Sequence, residues 1–126
     1  KYNEYPANLI RIIQRFLLGI EYGLDGTLYI GPTVPEEFWN AGFGQTLNFR
    51  GSQISYTMRH GNIQGQYSGK VEQKVSVRFN KPFNDRTFQA TVEGETVECK
   101  KKDGWISIVL PARDCDNACN FKIKVL

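Results

Sequence analysis

Two adjacent carboxylates are the first residues in this sequence that could do chemistry. Glu36 and Glu37 could serve as general acid and base, which need two ionisable groups near one reacting bond. Adjacent side chains on a helix point in different directions, however, and Glu is favoured at a helix start for electrostatic reasons alone. A structural role is the simpler interpretation, and a small independent enzyme that uses Glu36 or Glu37 is the competing hypothesis.

Metal chemistry is restricted by the few ligands available. His60 is the only histidine and lies in a predicted turn, so we expect a solvated loop residue, no metal and no cofactor. Three cysteines cannot form a four-cysteine zinc site or a fully paired disulfide framework. A local disulfide between Cys115 and Cys119 is the candidate pairing if the compartment is oxidising. Cys99 would then remain as a half-buried strand residue.

Aromatic side chains could recognise a sugar, because their flat faces suit the C–H faces of pyranose rings. Trp39, Trp105 and Tyr56 are the candidates for such a platform, together with Tyr29 and Tyr67. Aromatic residues in β-sandwiches belong to the core more often than to a binding surface. Both interpretations stay open at the level of the sequence.

Composition indicates one ordinary globular domain. The chain has 126 residues, of which 40% are hydrophobic and 23% are charged. A net charge of +3 is too small and too scattered to predict a nucleic-acid or membrane partner. No apolar run reaches the roughly 18 residues of a membrane-spanning helix. Because the first residue is Lys1 and not Met, we expect the chain to be part of a longer protein.

An apolar helix is predicted over residues 6–20. Pro6 suits the first helical position, and Gly19 and Gly23 can end the helix by adopting a left-handed conformation. The apolar residues repeat at helical spacing and cover more than half the circumference. They are Leu9, Ile10, Ile12, Ile13, Phe16, Leu17 and Ile20.

Beyond Gly23 the hydrophobic period changes to two, with a turn signal about every ten residues. The predicted strands cover residues 28–30, 46–50, 53–59, 62–68, 71–79, 87–92, 95–100, 105–110 and 121–125, and one helical turn is predicted at 35–39. The predicted fold is therefore mainly β: an antiparallel, jelly-roll-like β-sandwich with one N-terminal apolar α-helix. Residues 1–24 are predicted as helix and linker, and residues 25–126 as the sandwich.

One block of sequence has a familiar order. In residues 17–39 an apolar helix end is followed by Gly, a short strand closed by Pro32, a second Pro at 35, acidic residues and Trp39. Phe49-Arg50-Gly51 then leads into an alternating strand. This order resembles the C-terminal end of six-hairpin (α/α)6-barrel glycoside hydrolases and inverting sugar phosphorylases. The resemblance covers about residues 7–79.

The resemblance implies a structural role for the matching residues. Catalytic carboxylates of those families lie on loops of the helical barrel, so no catalytic residue carries over to this chain. The apolar helix would be the last helix of an absent barrel. The residues expected to face that barrel are Ile10, Ile13, Phe16, Leu17, Ile20 and Phe38.

The sequence therefore predicts a non-catalytic C-terminal accessory domain that packs against and stabilises a catalytic barrel. A stand-alone carbohydrate-binding module that uses surface aromatics is the alternative. The expected partners are the protein's own N-terminal catalytic domain, an oligosaccharide, and a second copy of the fragment through its apolar helix. The cysteine loop and the sugar-processing context favour a periplasmic or extracellular location.

Overall fold

A computed structural model describes residues 19–126, and these form two β-sheets around one core. The predicted mainly β sandwich is confirmed. The predicted apolar helix lies outside the described residues except for its last two positions, and Ile10, Ile13, Phe16 and Leu17 lie outside them too. The domain boundary at residue 24 stays a prediction. Within residues 19–126, no helix is long and apolar enough to cross a membrane.

The first sheet has five strands in the order β1-β2-β6-β10-β9. Its neighbours pair antiparallel except β2 and β6, which run parallel. The strand bounds are β1 (Ile20–Tyr22), β2 (Leu28–Ile30), β6 (Gln73–Val77), β9 (Lys100–Lys102) and β10 (Trp105–Leu110).

The second sheet has six strands in the order β3-β4-β5-β11-β7-β8, and all of its pairs are antiparallel. The strand bounds are β3 (Phe43–Phe49), β4 (Ser52–Arg59), β5 (Asn62–Ser68), β7 (Phe88–Val92), β8 (Glu95–Val97) and β11 (Cys119–Val125). Strict alternation of buried and exposed residues along β4 shows why it forms a half-buried strand.

Two short helices connect the strands: α1 (Glu36–Ala41) and α2 (Lys81–Asn84). The first takes the place of the helical turn predicted at residues 35–39. It starts with two carboxylates in its first turn and ends at Gly42, whose φ is 90°. Trp39 is the residue of α1 that is buried in the core.

Two differences from the prediction change the type of an element or the sheet to which it belongs. Ile20 does not end a helix but opens β1, where it pairs with Ile30, and Gly19 before it has a φ of 64°. Apolar spacing alone cannot separate the last turn of a helix from a three-residue strand. The strand predicted at residues 95–100 is divided between β8 and β9, which belong to different sheets. No Gly or Pro marks that crossing in the sequence.

Candidate functional site

The turn between β4 and β5 carries His60, and α1 places two polar side chains against it. His60 Nε2 lies 2.9 Å from Glu36 Oε2 and 2.7 Å from Asn40 Oδ1. Glu36 and Asn40 are four residues apart, so they lie on the same face of the helix. We call these residues, with Asn80, the Glu36–His60 cluster.

Asn80 completes the hydrogen bonding of the imidazole from the segment before α2. Its Nδ2 lies 3.0 Å from His60 Nδ1. If the amide donates this bond, Nδ1 is the acceptor, and Nε2 carries the proton that Glu36 and Asn40 share. The cluster is therefore arranged to hold the ring in one orientation, with Asn80 Oδ1 buried and unpartnered among the described residues.

Two aromatic rings pack against the imidazole. The ring of Trp39 stacks on His60 with 6.2 Å between centroids, and Phe83 lies at 5.4 Å. On the solvent side, Arg59 donates from Nη2 to the Asn40 carbonyl at 3.3 Å. A shallow cavity of about 520 Å³ opens beside the cluster, where His60 and Arg59 line it.

The arrangement offers one carboxylate and one imidazole. Glu36 is 66% exposed and His60 is 25% exposed, so the pair lies at the surface. In residues 19–126, no group of three or more His, Cys, Asp or Glu side chains could hold a metal ion. The contact between Glu36 and His60 attaches α1 to the β4–β5 turn.

Sequence reasoning treated Glu36 and His60 as unrelated, and it missed Asn40 and Asn80 altogether. The four residues come from α1, the β4–β5 turn and the segment before α2. Neutral amide residues such as Asn40 on α1 and Asn80 before α2 carry no local signal that separates a hydrogen-bond partner of a histidine from a solvated side chain. Only the register of β4 and β5 and the packing of Trp39 bring them together.

The predicted aromatic platform does not form. Trp39 and Tyr56 are only 3% and 4% exposed, because both belong to the core between the sheets. Burial raises the pKa of Tyr56 to about 12, and Gln45 Nε2 donates to its hydroxyl at 3.0 Å. Trp105 lies on the other sheet, packed edge-on with Tyr29 and covered by the Arg78 guanidinium at 4.2 Å. The three candidates therefore share no common surface.

The candidate disulfide is also absent. Cys115 is an exposed free thiol, Cys119 is a buried free thiol, and Cys99 is free and half-buried. Burial raises the pKa of the Cys119 thiol, with the nearby Glu93 charge acting in the same direction. The spacing of four residues placed one cysteine in the loop and the other on the inward face of β11, so the two face different environments.

The two sheets pack around one core and define a β-sandwich. In particular, the fold is similar to part of a solved GH127 β-L-arabinofuranosidase from Geobacillus stearothermophilus T6, with a TM-score of 0.59 and 18% identity. The likeness covers 96% of this chain and 19% of that chain. A second solved GH127 β-arabinofuranosidase matches 79% of this chain and 18% of its own, with a TM-score of 0.49 and 14% identity.

These comparisons concern the fold. No protein-family model matches the sequence, and no curated protein matches it. At the level of the fold, the predicted resemblance to a β-sandwich within a glycoside hydrolase is confirmed. The chain spans about a fifth of the length of the solved enzyme, 19%.

Proposed function

We propose that this chain is a non-catalytic accessory domain of a carbohydrate-active enzyme, and that it packs against and stabilises a helical-barrel catalytic domain. The observation that carries the proposal is the difference in coverage. Almost all of this chain, 96%, superimposes on only 19% of a glycosidase chain. A sandwich that accounts for so small a part of an enzyme is suited to support chemistry that is located elsewhere in it.

The Glu36–His60 cluster supports a structural role more than a catalytic one. Glycoside hydrolysis generally uses two carboxyl groups that face each other across the scissile bond, about 5–10 Å apart. Glu36 is bound to His60, and Glu37 follows it directly on α1, where adjacent side chains diverge. The cluster fixes α1, and α1 in turn presents its other face outward.

A direct assay separates this role from that of a small independent enzyme. We expect no release of nitrophenol above the buffer blank from p-nitrophenyl β-L-arabinofuranoside or from a panel of other nitrophenyl glycosides. The Glu36→Gln and Glu37→Gln variants serve as controls and should give the same background. Turnover by the wild-type chain that either substitution abolishes would replace the accessory role with catalysis.

Phe38 is a described residue that fits a contact with a neighbouring domain. It lies next to the buried Trp39 on α1, yet it is itself 50% exposed. Covering a Phe side chain completely contributes about 1.5–3 kcal/mol. Among the residues predicted to face a barrel, Phe38 is placed to make that contact without contributing to the sandwich core.

Phe38→Asp should therefore have different effects in two contexts. In the 126-residue chain we expect the free energy of unfolding to fall by no more than about 1 kcal/mol, because only half of the ring is buried there. In a protein that carries this segment together with a helical barrel, we expect a loss of about 2 kcal/mol or more. Denaturant unfolding of both proteins measures the difference. Equal changes in the two contexts would contradict docking through α1.

A further inference from the structure

The outward face of the six-stranded sheet has an unusual composition. Along β4, β5, β7 and β11, the positions that alternate with the buried ones carry only neutral hydrogen-bonding side chains and three cations. Neither a carboxylate nor an aromatic ring occurs among them. We call this surface the polar face; its residues are Gln53, Ser55, Thr57, Arg59, Asn62, Gln64, Gln66, Ser68, Gln89, Thr91, Asn120, Lys122 and Lys124.

Strand register arranges these side chains in rows across the sheet. Thr57 lies opposite Gln64, and Gln64 lies opposite Lys122. In the next row, Arg59 lies opposite Asn62. Facing side chains on neighbouring strands are about 5 Å apart, so each row is a ladder of closely spaced polar groups.

The rows differ in how far their side chains hydrogen-bond to one another. On one side of the face, Gln66 Nε2 donates to Asn120 Oδ1 at 3.0 Å, and Ser55 Oγ bonds to the Thr46 hydroxyl at 2.9 Å. In the row of Thr57, Gln64 and Lys122, no side-chain hydrogen bond or ion pair is formed within residues 19–126. Among the residues that the structure describes, the donors and acceptors of this row are therefore available to a ligand.

Two shallow cavities lie side by side over this row. One, of about 450 Å³, is lined by Gln66, Asn120 and Lys122 among others, and the second is the cavity of about 520 Å³ beside His60. Thr57 and Gln64 line both, so the two cavities adjoin, and we call the pair the groove. Its lining includes Arg59 and Lys122, and the nearest carboxylates, Glu36 and Glu93, bind His60 and Asn120 at its edges.

We propose that this groove binds an acidic oligosaccharide, with sugar hydroxyls on the amide and hydroxyl side chains and carboxylates on Arg59 and Lys122. Amide and hydroxyl side chains both donate and accept hydrogen bonds, and a sugar hydroxyl does the same, so the two can pair in either direction. Arg59 and Lys122 lie two strands apart and two residues displaced, about 12 Å between their Cα atoms by sheet geometry. A single short glycan can therefore reach both cations.

The same surface is poorly suited to nucleic acid. Single-stranded nucleic acids are bound by stacking bases on aromatic side chains, and the polar face presents no aromatic ring. Tight binding to phosphates also needs many more cations than the three found on this face. Charge complementarity and neutral hydrogen bonding together favour an anionic sugar.

The test compares an acidic trisaccharide with a neutral one of the same length. Trigalacturonate and maltotriose are titrated into the ¹⁵N-labelled chain at low salt, with binding followed by amide chemical shifts and calorimetry. We expect trigalacturonate to bind at least tenfold more tightly, with shifts concentrated on β4, β5 and β11. Lys122→Gln and Arg59→Gln should each weaken trigalacturonate binding by about tenfold, the effect of losing one charged hydrogen bond.

Lys74→Gln is the matched control, because Lys74 is exposed on β6 of the other sheet. Its affinity for trigalacturonate should equal that of the wild type. The proposal is overturned if neither sugar shifts the polar face, if both bind equally, or if Lys74→Gln weakens binding as much as Lys122→Gln. Tighter binding of single-stranded DNA to the same residues would also overturn it. None of these results bears on the accessory role, which the two-context Phe38→Asp experiment tests.

Discussion

Gly65→Ala is expected to destabilise the chain by about 3 kcal/mol or more, at the upper end of the usual cost of overpacking. A Cβ at Gly65 would overlap the carbonyl oxygen of Ser55 and lie 2.9 Å from the Tyr56 Cα. Both atoms belong to the backbone of β4, which is paired on each side and cannot move away without breaking its ladder. β5 also pairs with β11, so a displacement of β5 would strain the centre of the sheet.

The measurement is chemical denaturation of Gly65→Ala beside a matched glycine substitution. Gly94→Ala is the control, because nothing lies within 4 Å of its Cβ position. Its φ of 81° makes Ala cost about 1–2 kcal/mol through the backbone alone. A loss at Gly65 no larger than the loss at Gly94 would mean that β4 and β5 do not approach as described.

Trp39→Ala is expected to cost about 3–5 kcal/mol and to dismantle the Glu36–His60 cluster. The ring is almost completely buried, and it packs edge-on against Phe43 with 5.1 Å between centroids. Trp39 is also the buried residue through which α1 is held on the sandwich, and a six-residue helix does not persist without such packing. Losing it releases Glu36 and Asn40 from His60.

Two readouts separate the loss of packing from the loss of the cluster. Denaturant unfolding gives the stability change, and the His60 imidazole resonances report whether its hydrogen bonds persist. Trp39→Phe should retain most of the stability and keep the His60 signals near their wild-type positions. Phe38→Ala, one residue earlier and half exposed, should change stability by less than about 1 kcal/mol. Unchanged His60 signals in Trp39→Ala would show that α1 does not depend on this ring.

Local patterns were sufficient for most strands. The predicted ranges 28–30, 62–68 and 105–110 coincide with β2, β5 and β10, because alternation of apolar and polar residues depends only on the period of an extended chain. Turns at glycines such as Gly51, whose φ is 79°, can also be predicted from the sequence, since few other residues adopt that conformation. The β-sandwich class followed from these two signals.

Local patterns of this kind do not predict the candidate site. The sequence predicts a solvated loop residue at His60 and a helix-start carboxylate at Glu36, yet the two side chains lie 2.9 Å apart. Tyr56 is a candidate for sugar stacking in the sequence, but side chains alternate between the two faces of β4, and Tyr56 lies on the face that is buried in the core. The outcome depended on which strands pair and on which face of each strand meets the other sheet.

The sequence by itself determined most of the element types, most of the turn positions and the resemblance to a glycosidase sandwich, because each depends on residues close together along the chain. Tertiary structure alone decided the order of strands in the two sheets, the division of residues 95–100 between them and the burial of Trp39. It also decided that Thr57, Gln64 and Lys122 share one row. These features arise from contacts between distant residues, whose free energy depends on register and packing and is not encoded in any local period.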